Sequence, residues 1–165
     1  MRILIDYEPY ARKLGDDEPP YQEIGVWPCR WVHVPEAGRP PFVTAYCRRF
    51  TLEQETAFRA HASADERYEL FLDGARVGRG PERGDPDRWC FETYDFELAA
   101  GEHVLVARVW SLGADYAPFA QMFRRSGFIF SPEEDRFIEL VGTGVAEWEG
   151  KVLDGYAWMK RKEAA

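Results

Sequence analysis

The feature that most constrains the fold is the alternation of apolar and polar residues in short runs along the chain. In "FVTAYCRRFTL", residues 42–52, Phe42, Tyr46 and Phe50 share one parity. Side chains on a β-strand point alternately to opposite faces, so this period of two predicts a strand with one face in a core. Similar runs, which we also predict as strands, occur at 2–6, 31–35, 56–64, 68–72 and 102–110.

The run "EHVLVARVW", residues 102–110, gives the strongest strand prediction because it is apolar on both faces at Val104 to Val106. That composition is typical of a central strand covered on both sides. The dipeptide Asp73-Gly74 is the best hairpin signal, since Asp followed by Gly accepts the positive φ angles of a tight turn. Other glycines, interpreted as turn signals, follow at Gly78, Gly80, Gly84, Gly101, Gly113, Gly127, Gly142 and Gly144.

Long helical periodicity is absent, and only "TLEQETAF" at 51–58 could form a single helical turn. With 165 residues, of which 45% are hydrophobic and 15% aromatic, the chain can bury a core without disulfides. We therefore predict an all-β fold, an antiparallel β-sandwich with jelly-roll topology, as a single domain over 1–165. The tail at 160–165 lacks apolar anchors and is expected to be frayed.

The charge balance excludes some classes of partner. The net charge of −8 disfavours nucleic acid and anionic membranes, because an acidic surface repels phosphate groups. The cysteines at 29, 47 and 90 are odd in number and form no CxxC pair, which argues against a disulfide framework and a zinc site. The N-terminal "MRILIDYEPY" does not resemble a signal peptide, so we expect a cytoplasmic protein; an export signal already removed is the alternative.

Motifs for catalysis are missing from the sequence. There is no GxSxG, no HExxH and no protease-like cysteine signature, and His33, His61 and His103 lie in separate predicted strands, where we expect hydrogen-bonded surface or edge positions. "GRGPERG" lacks the Gly-Lys-Ser/Thr ending of a phosphate-binding loop. A glycoside hydrolase needs two carboxylates across a cleft, and we expect no obvious cleft in so small a sandwich.

The segment "GRGPERGDPDRWCFETYDF", residues 78–96, is the strongest candidate for a binding site. It combines arginine donors, aspartate acceptors and aromatic rings, which is the mixture that binds sugars: polar groups hold hydroxyls while a flat ring covers the C–H face. Trp110 and Gln121 would belong to the same site if they lie with this loop at one end of the sandwich. The candidate carbohydrate contacts are Arg83, Asp85, Trp89, Tyr94, Trp110 and Gln121.

A structural interpretation of the same loop stays open. In it, Trp89 and Tyr94 belong to the core, the arginines pair with nearby acids and the glycines permit bulges. No catalytic and no metal-binding residue is assigned, and we expect no cofactor. The alternative is calcium bound by the oxygens of "DPD" at 85–87, although the regular spacing of a calcium loop is absent.

The order of these segments resembles a known family. "RWVHVP", "FVTAYCRRFTL", "ADERYELFLDGARVGRGPERGDPDRW", "LAAGEHVLVARVW" and "PFAQMFRRSGFIF" look like the N-terminal β-sandwich of bacterial α-L-rhamnosidases and related glycoside hydrolases. The resemblance covers residues 27–131, and "GRGPERGDPDRW" is its most specific part. This chain has Asp73 where the family often has Asn.

The resemblance implies a galactose-binding-like jelly roll that accompanies a helical (α/α)-barrel catalytic domain. In those enzymes the general acid and base lie on the barrel, so no catalytic residue can be transferred to this chain. We therefore expect a non-catalytic accessory domain that packs on a catalytic domain, with a homo-oligomer contact as the other protein partner. The alternatives are a stand-alone carbohydrate-binding module and, third, a small enzyme in its own right.

Overall fold

The computed structural model describes residues 1–10, 26–84, 89–116 and 123–157. Within them the chain forms nine strands, two single 3-10 turns and one short helix. The strands are β1 (Arg2–Ile3), β2 (Phe42–Leu52), β3 (Thr56–Ala64), β4 (Arg67–Leu72), β5 (Ala75–Gly80), β6 (Glu92–Leu98), β7 (Gly101–Ser111), β8 (Phe128–Pro132) and β9 (Glu149–Val152). The 3-10 turns span Pro35–Ala37 and Asp135–Phe137, and helix α1 spans Ile138–Val141.

The strands form two antiparallel sheets that pack face to face. One sheet has four strands in the order β1-β6-β3-β8, and the other has five in the order β5-β4-β7-β2-β9. Consecutive strands lie in different sheets at every step along the chain except β4 to β5. Repeated crossing of this kind is typical of jelly rolls, so the predicted all-β sandwich is confirmed.

The core lies between the two sheets and is rich in aromatic rings. Phe58 stacks on Phe96 at a centroid distance of 4.9 Å, and Phe128 stacks on Tyr46 at 5.8 Å. Trp148, which precedes β9, packs against Phe128 at 5.8 Å and donates its indole N–H to the carbonyl of Val141. These contacts tie both sheets and the closing segment into one apolar layer, and that layer holds the strand ends in fixed positions.

Four of the predicted strands agree closely with the structure. The predicted runs at 42–52 and 56–64 coincide with β2 and β3, and those at 68–72 and 102–110 fall within β4 and β7. Strand β7 is central, between β4 and β2, as its apolar composition predicts. Its inner face is closed, with Leu105 and Ala107 at 0% exposure, whereas Val104 and Val106 on the other face are half-buried. The prediction that this strand is covered on both faces therefore holds fully for the inner face and only in part for the outer one.

Other local predictions are wrong. The predicted strand at 31–35 is reduced to a single bridge between Val32 and Phe128, because Pro35 has no N–H to donate and instead begins a 3-10 turn. The strand at 2–6 shortens to β1. The helical turn considered at 51–58 is a bend between β2 and β3. Gly78 and Gly80, interpreted as turn signals, lie inside β5.

The Asp73-Gly74 turn joins β4 to β5 as predicted, with φ angles of 49° and 82°. The Asp73 carboxylate accepts the backbone N–H of Val104 at 2.8 Å, and its other oxygen lies 2.8 Å from Nδ1 of His103. The second ring nitrogen of His103 lies 3.0 Å from the carbonyl of Ala99. Both ring nitrogens therefore face acceptors. The hydrogen bond to Asp73 is the main cause that raises the pKa of His103 above 6.5, and the hydrogen bond to the carbonyl of Ala99 is the second.

We expect this histidine to add pH-dependent stability. Because the pKa of His103 is higher in the folded state, the pair stabilises the fold below pH 6.5 and the contribution disappears as pH rises through the folded-state value. Asp73→Asn keeps a residue suited to the turn but removes the negative charge, so it should lower the pKa of His103 and flatten the stability profile in this window. NMR titration and urea unfolding at several pH values measure both effects. An unchanged His103 pKa in the variant would contradict this assignment.

Candidate functional site

The ends of five strands meet at one end of the sandwich and surround a cleft of about 880 Å³. Strands β3, β5 and β7 end there, and β4 and β6 begin there. The cleft is lined by Arg2, Ala64, Asp65, Glu66, Arg67, Tyr68, Glu69, Arg79, Gly80, Pro81, Glu82, Arg83, Gly84, Trp89, Cys90, Glu92, Trp110 and Leu112. The expectation of a sandwich without an obvious cleft is therefore wrong.

Three of the candidate contacts from the sequence meet in this cleft. Arg83, Trp89 and Trp110 all line it, although β6 and most of β7 separate Trp110 from the other two in sequence. Asp85 and Gln121 lie outside the described residues, and so does the candidate calcium segment at 85–87. Their part in the site stays a prediction.

Tyr94 requires a correction because its side chain is closed to solvent. It is 0% exposed, and its hydroxyl shares a hydrogen bond of 3.0 Å with the hydroxyl of Tyr68. Burial raises the pKa of Tyr94 to about 12, which keeps the phenol neutral. Strand β6 alternates, and the parity of Tyr94 places it on the inner face with Phe96. The structural interpretation is correct for this residue, which contributes to the core and not to the cleft surface.

The two tryptophans of the cleft are only partly buried. The ring of Trp89 contacts Trp31 edge-on at a centroid distance of 5.3 Å, and its indole N–H is buried with no hydrogen-bond partner among the described residues. Trp110 projects from the outer face of β7, where the guanidinium of Arg108 lies 5.0 Å from its ring centre. Both rings thus keep some surface for contact with a ligand.

Two buried carboxylates form part of the cleft, and sequence analysis missed both. They lie in the tight connection between β3 and β4, where Asp65 and Glu66 are each 4% exposed. One oxygen of Glu66 accepts the backbone N–H groups of Leu112 and Gly113, both at 2.7 Å. Asp65 accepts the backbone N–H of Arg124 at 2.9 Å. The carboxylates therefore hold the loops that follow β7 and precede β8.

The second oxygen of Glu66, Oε2, is buried and has no hydrogen-bond partner among the described residues. Burial raises the pKa of both Asp65 and Glu66, while the backbone N–H groups that they accept act in the opposite direction. An unsatisfied buried carboxylate oxygen is costly, so a polar atom supplied by a ligand would stabilise it. The sequence signal for these residues is weak, because "ADER" between two strands reads as an ordinary polar turn.

A third buried carboxylate, Glu92 at the start of β6, is paired with Arg2. Burial raises the pKa of Glu92, and the hydrogen bond from Arg2 opposes that rise. Gly80 lies directly beside it, since a Cβ on this glycine would be 2.3 Å from Cγ of Glu92. Asp65 and Glu92 are therefore engaged, Glu66 keeps one buried oxygen without a partner among the described residues, and the exposed carboxylate of Glu82 lies 3.8 Å from Arg2.

The three histidines lie away from the cleft. His61 is buried on β3, with Nδ1 2.9 Å from the hydroxyl of Thr93 and Nε2 3.2 Å from Glu133, so its ring is hydrogen-bonded but not at the surface as expected. His33 lies in no strand. In the described ranges, no three His, Cys, Asp or Glu side chains are grouped to hold a metal ion, and no helix is long and apolar enough to cross a membrane.

A comparison with solved structures relates this fold to the glycoside hydrolases. A family GH78 rhamnosidase of Bacillus sp. GL1 matches with a TM-score of 0.66 and 26% sequence identity over 78% of this chain. The predicted resemblance is confirmed. The matched region is 14% of the rhamnosidase chain, so this chain spans only a small part of the length of that enzyme. It is similar to a β-sandwich within a much larger protein.

Two structures of a lectin from Pleurotus ostreatus, one without ligand and one in complex with GalNAc, also match. They cover 78% and 79% of this chain and 33% and 36% of the lectin chains, at 15% and 16% identity. Their TM-scores of 0.47 are too low to carry a functional argument. No protein-family model matches the chain, and no curated protein matches it.

Proposed function

We propose that this chain is a non-catalytic accessory β-sandwich of an α-L-rhamnosidase-like glycoside hydrolase, and that it binds carbohydrate in the cleft at the strand ends. The observation that carries the proposal is the convergence of Arg83, Trp89 and Trp110 on one cleft with a buried, unpartnered carboxylate oxygen of Glu66. The similarity to part of a rhamnosidase supports a sugar of the class that such enzymes process.

The chemistry of the cleft suits a sugar ring. The C–H face of a sugar is apolar and packs on an indole ring, while its hydroxyls need both donors and acceptors. The indole N–H of Trp89 is an unused donor and Glu66 Oε2 is an unused oxygen, both buried and both on residues that line the cleft. A bound sugar would satisfy the two groups and cover the exposed part of the rings.

Replacing Trp89 with Ala should weaken sugar binding by roughly tenfold or more, because one substitution removes a flat apolar face and a hydrogen-bond donor. The measurement is isothermal titration of the protein with L-rhamnose and with rhamnose-containing oligosaccharides. Tyr7→Ala is the matched control: Tyr7 is 45% exposed and bonds to Glu133, away from the cleft. Equal affinities of wild type and Trp89→Ala would reject the cleft as the binding site.

A second candidate function is support of a catalytic domain. The observation that favours it is an apolar strip on the outer face of the five-stranded sheet, where half-buried Cys47, Val106 and Phe71 lie side by side across β2, β7 and β4. Sedimentation velocity with a separately purified rhamnosidase catalytic barrel tests docking. We expect a one-to-one complex that Val106→Lys disrupts. Self-association of the chain alone, abolished by the same change, would instead assign the strip to a homo-oligomer.

A further inference from the structure

Most of the acidic side chains that line the cleft are held by partners. Glu69 pairs with Arg76 and Arg108, Glu92 pairs with Arg2, and Asp65 and Glu66 accept backbone N–H groups, whereas the exposed carboxylate of Glu82 lies 3.8 Å from Arg2. Three other arginines line the cleft without an ion pair to any described residue, and all are exposed: Arg67, Arg79 and Arg83. Three unpaired guanidinium groups therefore line a cleft in a protein whose net charge is −8.

We propose that the ligand of this cleft is an acidic sugar, a uronic acid residue of an oligosaccharide. Its carboxylate is held by the guanidinium groups of Arg67, Arg79 and Arg83, and its hydroxyls reach Glu66 Oε2 and the indole N–H of Trp89. This inference rests on the proposed function, since it names the class of sugar that the same cleft binds.

Two physical reasons favour a carboxylate at this position. A guanidinium presents paired N–H donors in a plane that matches the two oxygens of a carboxylate, and such charge-assisted bonds are stronger than bonds to neutral hydroxyls. A bare inorganic anion would satisfy the arginines but would bring no hydroxyl to Glu66, whose carboxylate would repel it. A uronic acid carries both groups on one ring, with the carboxylate and the hydroxyls at different edges.

The test compares two ligands that differ only at the carboxyl group, methyl α-D-galacturonoside and its methyl ester, in calorimetric titrations at low salt. We expect the acid to bind roughly tenfold more tightly than the ester, as charge-assisted bonds require, and to lose that advantage at high salt. Equal or tighter binding of the ester would overturn the acidic-sugar inference while leaving carbohydrate binding intact. If neither ligand and no rhamnose oligosaccharide binds at millimolar concentration, the proposed function fails as well.

The double variant Arg79→Gln/Arg83→Gln tests whether the preference for the acid arises in the cleft. It should abolish the difference between acid and ester. Arg49→Gln is the matched control, since Arg49 is an exposed arginine on β2, far from the cleft lining, and its loss changes net charge in the same direction. Arg67→Gln gives an independent single change. A preference for the acid that survives all of these cleft variants would contradict the inference.

Discussion

Replacing Phe128 with Ala is expected to lower the free energy of unfolding by about 3–5 kcal/mol, the usual range for truncating a buried Phe. Phe128 is 0% exposed at the start of β8, and its ring contacts those of Tyr46, Tyr68 and Trp148. These rings belong to the five-stranded sheet and the closing segment, so the truncation leaves a cavity between layers that rigid aromatic neighbours cannot fill. Urea unfolding followed by circular dichroism measures the loss.

Val145→Ala is the control for this prediction, because Val145 is 46% exposed and close to the same segment. It should change the free energy of unfolding by no more than about 0.5 kcal/mol, as surface substitutions usually do. A similar small effect for Phe128→Ala would mean that the two sheets do not pack through this aromatic layer.

The second large effect is expected at Gly78, inside β5. A Cβ at this position would lie 2.3 Å from Cε1 of the Tyr94 ring, on the opposite sheet. Gly78→Ala should therefore cost about 1–3 kcal/mol, since either β5 or the buried ring must move. Thermal and urea unfolding measure the cost, and backbone amide shifts of β5 and β6 report where the strain is relieved.

A double-mutant cycle tests the cause of that cost. In a Tyr94→Leu background the ring is absent, so Gly78→Ala should become much less destabilising than in the wild type. If the cost of Gly78→Ala is the same in both backgrounds, the close approach of β5 to the Tyr94 ring is not its origin.

The strands that local pattern predicted well are the long ones. In β2 and β3, alternation extends over nine residues or more, and the same parity faces one core from end to end. The Asp73-Gly74 turn was equally predictable, because the positive φ angles it needs are a property of the dipeptide. Both kinds of feature depend on neighbours in sequence, which is why one sequence suffices to find them.

The features that could not be predicted depend on partners distant in sequence. Gly78 and Gly80 look like turn residues until the opposite sheet places Tyr94 and Glu92 against them. Glu66 looks like a surface residue until the loop after β7 brings two backbone N–H groups to it. For the same reason the sequence supplied the tryptophans of the cleft but not its buried carboxylates.

The indole N–H resonances of Trp89 and Trp110 in a titration with a rhamnose-containing acidic oligosaccharide test the central claim most directly. Both rings line the cleft, whereas Trp148 donates its N–H to Val141 at 3.0 Å in the core and serves as an internal reference. We predict saturable shifts at Trp89 and Trp110 with no change at Trp148. Binding detected in the same sample without a shift at either cleft tryptophan would contradict the account.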